Sequence, residues 1–181
     1  MQPFDPPERV EKVSERRASA SGFEELYERS RNRLAGQLFA LTGDWQGSFD
    51  FVQEAFVRTW ERWERVSDYD SPEAYVRRVA FNLAKSHWRR FRRVLYTPAA
   101  DSAEGAVDPD SHIDLVVALR LLSLREREAI VLHYLADEPI DQIAREMKVP
   151  TGTVKSWLSR GRSRLAEHLA IHEPEELTPH E

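Results

Sequence analysis

The stretch PIDQIAREMKVPTGTVKSWLSRGRSRL, Pro139 to Leu165, holds two helical patterns with a turn between them. Ile140, Ile143, Ala144 and Met147 recur at i, i+3, i+4 and i+7, the spacing of one apolar helix face. Lys148-Val149-Pro150 interrupts that pattern, and a second begins at Thr151. At about 100° per residue, Val154, Leu158, Gly161 and Leu165 share one side of the second helix. Ser156, Ser159, Arg160 and Ser163 lie opposite, with Lys155 and Arg162 beside them. Two short amphipathic helices joined by a tight turn have helix-turn-helix geometry, which seats its second helix in the major groove. Short hydroxyl side chains such as Thr153 and Ser156 let the backbone approach DNA, and Lys and Arg reach phosphates or guanine edges. Thr151 to Leu165 contains no acidic residue. Two readings stand at this point: DNA contact, or the solvated face of a helix in a small bundle. Trp157 falls on the flank of the wheel, where packing on a neighbouring helix suits it better than reading a base.

This basic segment sits in an acidic chain. The 181 residues carry 26 Lys and Arg against 31 Asp and Glu, a formal net charge of -5. The charge is segregated. Ala74 to Arg93 holds Arg77, Arg78, Lys85, Arg89, Arg90, Arg92 and Arg93 and no acid. Val94 to Asp114 holds five acids and no Lys or Arg, and the chain from Glu167 is acidic again. Local fields govern attraction to a polyanion, because salt screens charge beyond roughly 8–10 Å.

Upstream, Phe23, Leu26, Tyr27, Leu34, Leu38 and Leu41 fall near helical spacing, and Gly43 is a stop signal. A second helix is predicted from about Ser48 to Val66, with Val52, Phe56, Trp60 and Trp63 as one stripe. A third starts at Ser71-Pro72, with serine as N-cap, proline in the first turn and Glu73 at the positive helix end. Ser123-Leu-Arg-Glu126 is a capping-box pattern that opens a further helix. The expected fold is all-α: two small helical modules joined by an acidic flexible linker, the C-terminal one a helix-turn-helix. Residues 1–20 are expected as a disordered extension, 21–94 as the first module, 95–111 as the linker, 112–170 as the second module and 171–181 as an acidic tail.

Two faces of the first module carry chemistry. On the third helix, Arg78, Phe81, Asn82, Lys85, Trp88 and Arg89 gather away from Val76. Cations interleaved with rings suit single-stranded nucleic acid, and rings packed on another helix or a partner fit equally. The second helix presents Asp50, Gln53, Glu54, Arg58, Glu61 and Arg62, a mixed-charge face that suits a protein surface or plain solvent.

Several classes are excluded or unsupported. No cysteine is present, which removes disulfides, thiolate metal sites and cysteine nucleophiles. No apolar run is long enough to span a membrane, and MQPFDPPERVEKVSERR lacks the pattern of a secretory signal. No Gly-rich phosphate loop, HExxH or nucleophile motif occurs, so no enzyme, metal or cofactor is expected. His168 and His172 at i, i+4 are explained by a solvated end.

The combination carries a resemblance. Asp50-Phe-Val-Gln-Glu-Ala-Phe56, Trp60 and Ser71-Pro-Glu-Ala-Tyr-Val-Arg-Arg-Val-Ala-Phe-Asn-Leu-Ala84 resemble region 2 of bacterial sigma factors. Leu124-Arg-Glu-Arg-Glu-Ala-Ile130, Ile140 to Met147, Gly152 to Ser156 and Leu158 to Arg162 resemble region 4. The order and short linker are similar to the extracytoplasmic-function group, which keeps regions 2 and 4 alone.

That resemblance implies a cytoplasmic, non-enzymatic subunit that binds core RNA polymerase and directs promoter recognition, melting and initiation. It places Asp50, Gln53 and Glu54 against the clamp helices of the largest subunit, with region 4 near the flap. It assigns Ser67 to Ser71 and the third helix to the −10 element and the melted non-template strand. It assigns Thr153, Lys155, Ser156, Ser159, Arg160 and Arg162 to the −35 duplex. The linker would thread the polymerase channel, its acids mimicking nucleic acid. An anti-sigma factor, if one exists, would cover the same helices. Three positions depart from the family pattern: Phe49 and Phe51 around Asp50, Phe81 in place of a usual arginine, and Trp157 in place of another. The competing reading is a stand-alone helix-turn-helix regulator, since Ser123 to Leu165 also resembles response-regulator output domains. No receiver-like strand–helix alternation precedes it.

Overall fold

Gly43 ends the first helix as its position suggests. The computed structural model describes residues 7–94 and 112–171, with side chains over 20–89 and 115–168. Helix α1 spans Pro7–Thr42; Gly43 follows at φ +73°, and its N–H donates to Phe39 O at 2.7 Å. That left-handed residue is the ordinary helix stop. The helix begins well before the apolar periodicity. Where disorder was expected, the backbone from Pro7 to Ala20 is helical: Glu, Lys, Arg and Ala are good helix formers, and neither Pro nor Gly occurs from Glu8 to Ala20. Residues 1–6 of that expected extension, the whole of the 95–111 linker and the tail beyond Ile171 lie outside the described residues.

Contacts divide the chain into two units, Met1–Leu38 with Trp45–Ser102, and Phe39–Asp44 with Ala103–Glu181. In the first, α2 (Trp45–Trp60) packs on α4 (Pro72–Val94), with the single turn α3 (Trp63–Val66) between them in sequence. Val52, Ala55, Phe56, Val66, Val76, Ala80 and Phe81 form the core with Leu26 and Leu34 of α1. Phe23 sets its ring edge-on to Phe56, Trp60 and Trp63 at 5.8, 4.9 and 5.3 Å. The predicted second helix is broken rather than continuous. Arg62 leaves the helical region at φ −126°, so Trp63 turns into the core while Trp60 stays half exposed. At the start of α4, Ser71 Oγ accepts from the Ala74 N–H at 3.2 Å, the predicted N-cap, and Arg33 of α1 pairs with Glu73.

The second unit comprises α5 (His112–Arg120), α6 (Leu124–Ile130), a π-helical turn (Val131–Leu135), α7 (Ile140–Met147) and α8 (Thr151–Ile171). The capping box at Ser123 is complete: its hydroxyl accepts from the Glu126 N–H, and Glu126 Oε2 accepts from the Ser123 N–H at 3.1 Å. Helix α7 ends at Lys148, which adopts a left-handed φ of 56°, and the Val149 N–H returns to Ala144 O at 3.0 Å. This Schellman-type turn is what lets α7 stop and α8 start at Thr151, three residues after Lys148. Ile143, Ala144 and Met147 of α7 and Val154 and Leu158 of α8 are buried together with Ile130, Val131 and Leu132. Gly161 is where α8 approaches α6: a Cβ there would stand 3.0 Å from Ile130 Cγ1. Among the described residues there is no strand, and no helix is long and apolar enough to cross a membrane.

Candidate nucleic-acid interface

Helix α8 turns Val154, Leu158 and Gly161 inward and leaves Trp157 and Leu165 half buried. The opposite arc is open. Gly152, Lys155, Ser156, Ser159, Arg162 and Ser163 are exposed, and Thr153 is half buried at the first turn. Ser156 Oγ donates back to Gly152 O at 3.0 Å, which leaves the lone pairs of its hydroxyl available on the open face. Arg162 reaches toward the Tyr134 hydroxyl at 3.5 Å, a long contact that aligns the side chain without neutralising it. This arc is small at its centre and cationic at its edges, the shape a major groove accepts.

Arg160 does not share that arc freely. Its Nε donates to Glu126 Oε1 at 3.0 Å, and Arg164, one turn on, donates to Glu126 Oε2 at 2.9 Å. The Glu126 carboxylate is buried, while both guanidinium groups are about half exposed. Burial by itself pushes the Glu126 carboxyl up, but hydrogen bonds from Ser123 and Arg160, with the charge of Arg164, outweigh it and hold it below the ordinary value. The expected role of Arg160 as a phosphate ligand therefore meets a competitor inside the protein.

On α4 the expected face is partly corrected. Arg78, Asn82, Trp88 and Arg89 are exposed, and Lys85 is half buried. Phe81 is not on that face: it is 0 % exposed and among the largest fully buried side chains. The buried positions are Val76, Arg77, Ala80, Phe81 and Ala84, while Val79 and Leu83 are only partly covered. The inward arc is thus centred between Val76 and Phe81, not on Val76. Phe81 cannot stack on a base without unfolding the unit. Trp88, 47 % exposed, keeps that capacity.

A cluster beside the 67–71 loop was not foreseen. Tyr75 receives a hydrogen bond from Arg62 Nη1 at 3.3 Å, packs edge-on with Tyr69 at 5.7 Å, and lies under the Arg78 guanidinium at 5.5 Å. The Tyr75–Arg78 spacing of i, i+3 was readable in the sequence; the approach of Arg62 and Tyr69 depends on the α3 turn. On α2, Asp50, Gln53 and Glu54 are exposed as expected, and Val57 stands exposed among them. Glu54 pairs with Arg58 at 2.7 Å. Among the described residues, no group of His, Cys, Asp and Glu could hold a metal.

A sigma-70 region 2 model matches residues 26–94, and a sigma-70 region 4 model matches 112–165. The RNA polymerase sigma-E factor of Streptomyces avermitilis is 31% identical over 152 residues, covering 81% of this chain and 84% of that one. Its counterpart in Streptomyces coelicolor is 30% identical over 156 residues, covering 83% and 88%. The ECF RNA polymerase sigma factor SigE of Mycolicibacterium smegmatis is 28% identical over 171 residues, covering 87% and 65%. The sigma factor RpoE of Bartonella quintana, solved with the anti-sigma factor NepR, shares the fold with a TM-score of 0.68 at 22% identity, over 84% of this chain and 99% of that one. The region 2 match disfavours a stand-alone regulator, which has no use for that module. With both regions present in order, the chain belongs to the extracytoplasmic-function group of the sigma-70 family, sigma factors that direct transcription initiation.

Proposed function

We propose that this chain joins core RNA polymerase through α2 and reads a bipartite promoter with α4 and α8. Asp50, Gln53 and Glu54, with the exposed Val57, supply the polymerase-facing surface. Arg78, Asn82, Lys85, Trp88 and Arg89, together with Tyr69 and Tyr75 by the 67–71 loop, receive the −10 element as the strands separate. Cations follow the phosphates and exposed rings stack on unpaired bases, so binding energy rather than catalysis by this chain drives melting. Thr153, Lys155, Ser156, Ser159 and Arg162 meet the −35 duplex. The protein works in the cytoplasm, at the nucleoid when polymerase-bound, and an anti-sigma factor is a further partner of the same helices. The observation that carries this reading is the acid-free open arc of α8, mounted on a complete helix-turn-helix.

Core polymerase reconstituted with the full chain should give specific run-off transcripts from genomic fragments. Gln53→Ala with Glu54→Ala should abolish retention on core polymerase while the full chain keeps its affinity for duplex DNA. Wild-type retention in that variant would remove α2 from the polymerase surface.

A further inference from the structure

Glu126 has two duties, and the capping pattern reveals only the first. As the third residue of α6 it closes the capping box at Ser123, whose hydroxyl also lies 2.8 Å from Oε2. As a tertiary acceptor it receives Arg160 on Oε1 and Arg164 on Oε2. The two arginines are one helical turn apart on α8, so together they fix both the rotation and the height of that helix against α6. The carboxylate is buried, at 3% exposure. A buried anion deprived of its partners is left uncompensated, which makes withdrawal of the arginines unfavourable. A phosphate at the surface would have to outcompete an acceptor that is already aligned and dehydrated.

We propose that Glu126 is a positioning residue for promoter recognition: it locks α8 through Arg160 and Arg164 and withholds both cations from DNA phosphates. The phosphate contacts of α8 then come from Lys155 and Arg162, and Arg160 acts through helix orientation. This inference rests on the assignment of α8 to the −35 duplex.

The test uses the full chain and two fluorescently labelled duplexes, one of mixed sequence and one retrieved by the chain from a random-sequence pool. Affinity is measured across a salt series. Each phosphate contact contributes about 0.9 to the slope of log affinity against log salt. Lys155→Ala should lower that slope by about 0.9. Arg160→Gln should leave it unchanged and reduce the preference for the retrieved duplex. Glu126→Gln should steepen it by about 0.9 to 1.8 as one or both arginines are released. Ser123→Ala, which weakens the capping box but keeps the carboxylate, should leave the slope at its wild-type value and so separates the charge effect from loss of stability. An Arg160→Gln slope lowered as much as that of Lys155→Ala overturns the proposal, and so does an unchanged slope in folded Glu126→Gln. If Glu126→Gln does not fold, the Arg160→Gln result decides alone. If Lys155→Ala with Arg162→Ala also leaves the slope untouched, the assignment of α8 to DNA has failed and the proposal falls with it.

Discussion

Replacing Phe81 separates a core role from a base-stacking role, because the two predict opposite phenotypes. The ring is fully buried in the first unit, on the inward arc of α4. Truncating a buried phenylalanine to alanine costs about 3–5 kcal/mol, the transfer of the ring plus the cavity left behind. For a unit of this size each kcal/mol lowers the melting temperature by roughly 4–8 °C. Phe81→Ala should therefore unfold the first unit at ordinary growth temperatures. Phe81→Leu, which keeps most of the volume, should cost about 1 kcal/mol. The assay is built into the sequence: Trp45, Trp60, Trp63 and Trp88 belong to the first unit and Trp157 to the second. In a Trp157→Phe background, tryptophan fluorescence during urea unfolding reports the first unit alone. Phe81→Leu should shift the midpoint without changing single-strand binding once the protein is folded. Trp88→Ala should do the reverse, keeping the midpoint and losing about 1–3 kcal/mol of binding to a single-stranded oligonucleotide. A Phe81→Leu protein with a wild-type midpoint and lost single-strand binding would refute the burial argument.

Two further outcomes follow from the second unit. The Glu126 carboxyl is held below its ordinary value of 4.5 in the folded state, so its stabilisation is fully present above the unfolded value and is lost as pH falls through the folded one. Acid titration by circular dichroism should show the second unit weakening below about pH 4.5, and Glu126→Gln should flatten that limb; an identical acid limb in the variant would contradict the pairing. Lys148 occupies the left-handed position that ends α7, where a side chain costs roughly 1 kcal/mol relative to glycine. Lys148→Gly should raise the melting temperature of the second unit, and a fall would show that the lysine side chain makes a stabilising contact.

Local signals were legible where their partners are close in the chain. Gly43, the Ser71-Pro72 helix start, the Ser123–Glu126 capping box and the α7–turn–α8 boundaries all depend on residues within a few positions of one another. The errors arose where a helix packs in more than one direction. A wheel centred on Val76 put Phe81 outside, because the apolar stripe alone does not say how wide an arc the neighbouring helices cover. Trp60 and Trp63 shared a stripe only if the helix continued, and the departure of Arg62 from helical geometry parted them. Of the site, the open arc of α8 and the exposed face of α2 could be read from sequence. The Tyr75 cluster could not, since it needs Arg62 and Tyr69 brought back by the α3 turn.

Charge shows most clearly why segment composition is an incomplete guide to recognition. Lys155, Arg160, Arg162 and Arg164 lie in a stretch without acids, which suggests four free cations. The acid that answers two of them lies 34 and 38 residues upstream. It is there for a local reason as well, since α6 starts with its help. The same holds on α4, where adjacent arginines diverge: Arg77 is buried and Arg78 is exposed over Tyr75. A polyanion meets only the cations that the fold leaves outside and unanswered. The number of phosphates held should therefore be smaller than the number of basic residues in the two segments, and the salt dependence of binding measures that difference directly.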